Sequence, residues 1–264
     1  MPSARNFSGL CSGKGNSKMT EKAYKLLAIQ EGISNRAAKD LIDRGVVYSG
    51  GKKVTVARGE ISPKAKFRVE KINKPKIIFQ DKKIIAVDKP AYMTTEEVAR
   101  GYAEFTLLHR LDKETSGVLL FTKDEEFHKE AVKAFKSREV KKEYIAVVQG
   151  KCIEPVTVDK PLITIKQGNT LFSKVADEGK DAISHIEPLM LEGKLSKVKV
   201  TIETGRTHQI RAHLKSIKTP ILGDTQYGAK PFKRVMLHAW KIELLGYKFE
   251  SKEPSEFIRV MNMG

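Results

Sequence analysis

Residues 109–117 read HRLDKETSG, a run that sets Asp112 among His109, Arg110 and Lys113 just before the apolar stretch VLLF. A carboxylate in such a place can serve as a nucleophile or a general base, and an arginine partner favours its ionised form. Loop aspartates are usually solvated or bonded to their own backbone, so the run alone decides little. A second set of candidates lies in GRTHQIRAHLKSI, residues 205–217. There Ile210, Leu214 and Ile217 recur at helical spacing, while His208, Arg211 and Lys215 share a neighbouring face. Helix geometry by itself favours a surface place for Arg211. His208 and His213 do not face one another on a helix, which argues against a zinc pair.

The elements around these residues must hold them still. VLLF reads as a strand, and the loop feeding it can place Asp112 at the rim of a cleft. KIIFQD, KIIAVDKP, KEYIAVVQG, KVKVTIE and VMLHAWKIEL read as further strands. DEEFHKEAVKAFKS and THQIRAHLKSI read as helices, the second with Thr207 able to cap its first turn. Residues 76–264 are therefore expected to form a mixed or antiparallel sheet with flanking helices, an α+β fold.

A smaller module is expected over residues 19–72. TEKAYKLLAIQEG reads as a helix with Thr20 as N-cap, and SNRAAKDLIDRG as a second one capped by Ser34 and stopped by Gly45. VVYSGGKKVTV then carries a two-residue hairpin signal at Gly50-Gly51. Arg36, Lys39 and Arg44 fall on this unit, and the charged linker EKINKPK follows it. Residues 1–18 are small, polar, basic and free of acidic residues, as a disordered tail would be, and Met19 is an alternative start.

The chain has 264 residues, with 49 Lys+Arg against 32 Asp+Glu and a net charge of +17. Such an excess points to a polyanion partner, most often nucleic acid; the plainer alternative is a basic solvated surface. No stretch reaches the roughly 18 uninterrupted apolar residues of a membrane helix. Cys11 and Cys152 form neither a metal-ligand spacing nor a disulfide framework, which suits a reducing cytoplasm. The glycines of GLCSGKGNS lack phosphate-loop spacing, and Leu111 interrupts any likeness of HRLD to a kinase catalytic loop.

Residues 33–54, ISNRAAKDLIDRGVVYSGGKKV, resemble the S4 RNA-binding domain, with Asn35 before Arg36 and Gly50 where that family usually has Asn. The resemblance implies that Arg36, Lys39 and Arg44 face phosphates. HRLDKETSGVLLFTK, KKEYIAVVQG, TGRTHQIRAHLKSIKTPILGDTQYG and MLHAWKIEL resemble, in order, the signature blocks of RluA-type pseudouridine synthases. That resemblance implies isomerisation of uridine in RNA, with no cofactor and no metal.

By the same resemblance Asp112 is the catalytic residue, Arg211 its partner, and Tyr144 the residue that stacks on the base and acts on it. Leu237 lines the pocket and Arg206 is a second-choice partner. Arg110 fills the stack vacated by a flipped base, while His109 and His208 contact the RNA backbone. An S4 module ahead of such a domain implies ribosomal RNA, especially of the large subunit, with transfer RNA as the alternative. A cytoplasmic monomer is expected. One stretch departs: DKPAYMTTEEVARGYAEFTLLHRLD has Ala91-Tyr92 where the family carries a Gly, and only a short link to HRLD. The competing reading is an S4-bearing RNA-binding protein without catalysis.

Overall fold

The computed structural model describes residues 20–168 and 170–262; the tail expected over residues 1–18 lies outside them. The chain divides into two compact units, with the boundary between Lys71 and Ile72.

In the first unit, β1 (Glu21–Lys22) leads into α1 (Ala23–Glu31) and α2 (Asn35–Arg44). Gly32 and Gly45 end the helices in the left-handed conformation. Ser34 caps α2 by accepting from the Ala37 N–H at 3.2 Å. Thr20 does not cap α1: Lys22 holds the N-cap position with no side-chain bond, and the Thr20 hydroxyl donates to Glu60 at 2.7 Å instead. The strands that follow are β2 (Val47–Ser49), β3 (Lys52–Lys53), β4 (Glu60–Ile61) and β5 (Phe67–Val69). β2 and β3 meet across Gly50 and Gly51, both at positive φ, which is why two glycines suffice for the turn. Arg36 is exposed, and the Lys39 ammonium lies 4.3 Å above the Tyr24 ring. Arg44 is more committed: its Nε is 2.6 Å from Asp40 and its side chain is only 16% exposed.

The second unit runs β6 (Lys76–Gln80), β7 (Ile84–Lys89), α3 (Thr95–Arg100), β8 (Thr106–Leu107), β9 (Ser116–Thr122), α4 (Glu125–Lys136) and β10 (Lys141–Gln149). Four strands follow: β11 (Val156–Asp159), β12 (Leu162–Gln167), β13 (Thr170–Val175) and β14 (Ile183–Glu192). The rest is β15 (Leu195–Ile202), α5 (Gln209–Ser216), a 3-10 turn (Thr225–Tyr227), β16 (Leu237–Leu244), β17 (Tyr247–Glu250) and α6 (Ser255–Met261). One large sheet has the order β11-β14-β15-β10-β16-β9-β7-β6, with β17 on β16 and β8 on β9. β9 and β16 pair parallel through Ser116–His238 and Gly117–Ala239, and the remaining pairs are antiparallel. β12 and β13 form a separate hairpin.

The central strands read as unbroken apolar runs because both faces are covered. Val118 and Leu120 pack with Phe127, Ala131 and Ala134 of α4. The alternate residues Leu119 and Phe121 pack with Val98 of α3, and Leu111 and Tyr144 join them there. Leu119, Leu120 and Phe121 are fully buried, each contributing about 1.5–3 kcal/mol of burial free energy. This packing anchors the strand immediately downstream of Asp112.

Gly117 lies at φ +118, and a Cβ there would come within 2.0 Å of the Ala239 carbonyl oxygen. The β9–β16 crossing therefore requires glycine. α3, β11–β14 and α6 carry no expectation from the sequence. β12 and β13 are short and largely exposed, so they show little of the apolar alternation that marks a strand.

Candidate active site

Asp112 sits in the loop between β8 and β9, and that loop is held at almost every residue. The Thr95 hydroxyl donates to the Leu111 carbonyl at 2.8 Å and accepts from the Leu111 N–H at 3.1 Å. The Thr115 N–H closes a turn onto the Asp112 carbonyl at 3.1 Å. The Lys113 carbonyl accepts from the Tyr92 N–H at 2.8 Å and from the Lys89 ammonium at 3.3 Å. Arg234, only 7% exposed, donates through Nη2 to the Glu114 carbonyl, the Ser116 hydroxyl and the Leu237 carbonyl. Its Nη1 reaches Glu256 of α6 at 3.1 Å. Ser116 also meets His238 Nδ1 at 2.8 Å. None of Lys89, Arg234 and His238 was a candidate from the sequence, although His238 lies inside the LHA block.

A cleft of about 90 Å³ opens beside this loop. Asp112, Tyr144, Arg211, Leu237, Arg110, Arg206 and His208 all line it, with Ile202 and Ile210 as further apolar wall. The structure thus brings together seven of the eight residues expected in the synthase domain's site, from segments up to 127 positions apart. Tyr144 is aimed by a bulge in β10, where the pairing with β16 shifts register between Glu143 and Tyr144. Arg110 stands at the mouth, its side chain 73% exposed and 2.6 Å from Glu96. Arg206 donates from Nε to the Asp181 carbonyl at 2.9 Å.

His109 is the exception, since it is not among the residues lining the cleft. Its ring packs against Phe135, with centroids 5.9 Å apart, and its Nε2 accepts from the Leu120 N–H. Burial, with Lys142 nearby, pushes its pKa down to about 4, so it is a neutral pin between loop and strand. His208 faces Asp112, with Nε2 3.8 Å from Oδ2, while its Nδ1 meets the Tyr227 hydroxyl at 3.1 Å. Burial and the Arg211 charge bring its pKa to about 4, so the pair is not ionic at neutral pH. His208 is also the N-cap of α5, at φ 52 with no side-chain cap; Thr207 does not cap the helix.

Arg211 is buried rather than superficial, at 3% exposure. Its Nη1 lies 3.7 Å from Asp112 Oδ2, but its shortest bonds go to Asp224, for which the sequence carries no expectation. Nε donates to Oδ2 at 2.7 Å and Nη2 to Oδ1 at 2.8 Å, a bidentate pair. The Tyr227 ring lies 4.9 Å from the Arg211 guanidinium carbon.

The electrostatics refine the simplest picture of the carboxylate. Burial raises the Asp112 pKa, and although Arg211 and Lys89 oppose it, the net direction is upward. Tyr144 is raised as well, by burial and then by Asp112, so its phenol stays protonated through the neutral range. Among the described residues no group of three His, Cys, Asp or Glu is placed to hold a metal ion. What remains is a small cleft with one carboxylate, one phenol and a buried guanidinium, walled by apolar side chains and rimmed by cations. Such a site suits acid–base or nucleophilic chemistry on a flat polar ring.

The model for RNA pseudouridylate synthases matches residues 71–216. A protein of Helicobacter pylori strain J99 called an uncharacterized RNA pseudouridine synthase is 51% identical over 240 residues, covering 90% of this chain and 99% of that one. Ribosomal large subunit pseudouridine synthase C of Rickettsia felis is 37% identical over 205 residues, 70% of this chain and 67% of its own length. In fold, the chain is similar to human RNA pseudouridylate synthase domain containing 4, with a TM-score of 0.60 and 22% identity over 70% of this chain and 91% of that one. The protein is an isomerase that acts on RNA. It belongs to the RNA pseudouridylate synthase family, within the RluA-type branch. The non-catalytic alternative is thereby set aside.

Proposed function

We propose that this pseudouridine synthase isomerises uridines of large-subunit ribosomal RNA with Asp112 as its catalytic carboxylate. The observation that carries the reading is the convergence of Asp112, Tyr144 and Arg211 on one small cleft. The choice of RNA draws support from the Rickettsia felis relative, whose name specifies the ribosomal large subunit; transfer RNA is the alternative substrate.

The reaction breaks the N1–C1′ bond of uridine and forms a C5–C1′ bond. The C5 proton is lost and N1 gains one, so atoms and electrons balance with no redox partner. Asp112 acts either as a nucleophile or as the base for a sugar proton. The target base must leave its stack, at a cost of a few kcal/mol. Tyr144 and Leu237 then enclose the ring, and the protonated Tyr144 phenol can donate to it. Arg110, exposed at the mouth, is placed to fill the vacated stack. Arg206 and His208 border the entering nucleotide. The S4-like first unit, residues 19–72, adds phosphate contacts through Arg36 and Lys39, with Arg44 contributing less because Asp40 already engages it. The enzyme works as a cytoplasmic monomer without a cofactor.

Pseudouridine mapping of ribosomal and transfer RNA from cells with and without the gene tests the substrate. Loss of at least one large-subunit site is expected, and loss confined to transfer RNA would overturn that choice. For the chemistry, Asp112→Asn should abolish turnover while RNA affinity stays within a few-fold, because the ionised oxygen is removed and the +17 charge is nearly unaltered. Tyr144→Phe should slow the single-turnover step by about 10²–10⁴-fold. An Asp112→Asn enzyme turning over at the wild-type rate would sink the assignment.

A further inference from the structure

Arg211 faces two carboxylates, and it does not treat them alike. Asp224 takes the Nε edge of the guanidinium in two bonds of 2.7 and 2.8 Å. Gln226 accepts from Nη2 at 2.9 Å. Asp112 receives only the approach of Nη1 at 3.7 Å. A guanidinium beside a single carboxylate normally closes to a bidentate pair near 2.8 Å. Here that fork is already occupied.

Asp224 is itself firmly held. It is 1% exposed, its N–H donates to the Ile221 carbonyl, and its own carbonyl accepts from the N–H groups of Tyr227 and Ala229. The preceding Gly223 lies at φ +86, and a Cβ there would meet the Arg234 carbonyl oxygen at 1.9 Å. Backbone geometry thus places the carboxylate against Arg211 on the edge remote from Asp112.

We propose that Asp224 is a positioning residue that holds Arg211 back from Asp112, so that the cation steadies the carboxylate without consuming the oxygen that must meet the substrate. The negative charge of Asp224 works in the same sense, since it opposes the lowering of the Asp112 pKa by Arg211. This inference rests on the reading of Asp112 as the catalytic carboxylate.

The test uses full-length Asp224→Asn and an in vitro transcript on which the wild type is active, with single-turnover release of the uridine C5 proton as readout. Once Asp224 loses its charge, Arg211 should close on Asp112. The plateau rate should fall by about 100-fold, as for a misplacement of about 1 Å. The acid limb of the pH–rate profile should move to lower pH by about one unit or more. A merely structural loss would lower the rate without moving that limb, and either an unmoved limb or a wild-type rate overturns the proposal.

Should Asp224→Asn fail to fold, Arg211→Met/Asp224→Asn removes both charges of the buried pair, and Arg211→Met, which leaves the Asp224 carboxyl without that partner, is its comparison. The proposal requires equal plateau rates from these two, because once Asp112 is ionised Asp224 positions only Arg211; a large further loss in the double variant overturns it. An inactive Asp112→Asn beside an unaltered Asp224→Asn would remove this inference alone. A fully active Asp112→Asn would remove the reading beneath it.

Discussion

The Lys89 ammonium donates to the Lys113 carbonyl at 3.3 Å, one residue past Asp112. It donates as well to the Met93 carbonyl at 2.6 Å and the Pro90 carbonyl at 3.0 Å. A fully buried lysine thus ties the Asp112 loop to the end of β7 through main-chain oxygens. Burial, and then the nearby Arg234 charge, push its pKa from 10.5 down to about 7.

That shift has a definite sign. Between about pH 7 and the ordinary lysine value the unfolded chain binds the proton and the folded chain does not, so folding gains stability as pH rises. Relative to Lys89→Met, which has nothing to titrate, the wild type should gain stability between about pH 7 and about pH 9.5. Urea unfolding of both proteins at the two pH values checks this. A constant difference would mean that Lys89 stays charged in the fold.

Asp112→Asn should raise the melting temperature at neutral pH even as it removes activity. The folded-state pKa of Asp112 is raised, chiefly by burial. Its ionised form therefore costs stability, and that cost grows as pH rises above the unfolded carboxylate value. Below about pH 3.5, where both states are protonated, wild type and variant should melt together. Thermal melts at the two pH values decide it, and a variant less stable than wild type at neutral pH would contradict the direction.

Tyr92 occupies the left-handed region at φ 69, in the KP-A-Y stretch where the family usually carries a glycine. Its N–H holds the Lys113 carbonyl and its hydroxyl donates to the Lys233 carbonyl. The ring and hydroxyl anchor a conformation that costs a non-glycine residue about 1–2 kcal/mol. Tyr92→Gly should accordingly be more stable than Tyr92→Ala by about 1 kcal/mol, the reverse of their order in a helix. Chemical denaturation of the two variants measures it, and an alanine variant as stable as the glycine one would refute the assigned backbone.

Deleting residues 1–74 should leave a folded, active core, since the unit boundary falls at Lys71–Ile72 and β6 begins at Lys76. RNA binding should weaken and its salt dependence should become shallower. Each phosphate contact removed lowers the slope of log affinity against log salt by about 0.7–0.9, so losing two or three contacts changes it by roughly 1.4–2.7. Binding isotherms at several salt concentrations compare the two proteins. Identical slopes would mean that the first unit makes no phosphate contacts.

Much of this protein is legible in its residues alone. The apolar runs at 84–87 and 118–121 mark strands because they are buried on both faces, and Ser34, Gly45 and Gly50-Gly51 mark caps and a turn because their local chemistry permits little else. The resemblance of HRLD, KKEYIAVVQG and GRTHQIR to signature blocks of a known family likewise singles out Asp112, Tyr144 and Arg211, which do share one cleft.

Tertiary structure alone decided which partner each of those groups meets. Asp224 claims the Arg211 fork from 13 residues away, and Arg234 grips the Glu114 carbonyl from 120 residues away. His109 turned out to be a neutral internal pin, although its neighbours in HRLD reach the cleft. The upward shift of Asp112 could not be read from a motif containing so many cations, because it depends on how much water the folded chain excludes around the carboxylate. Spacing along a chain records which residue types can meet; distances and desolvation, which set their protonation and reach, exist only once the sheet has closed around them.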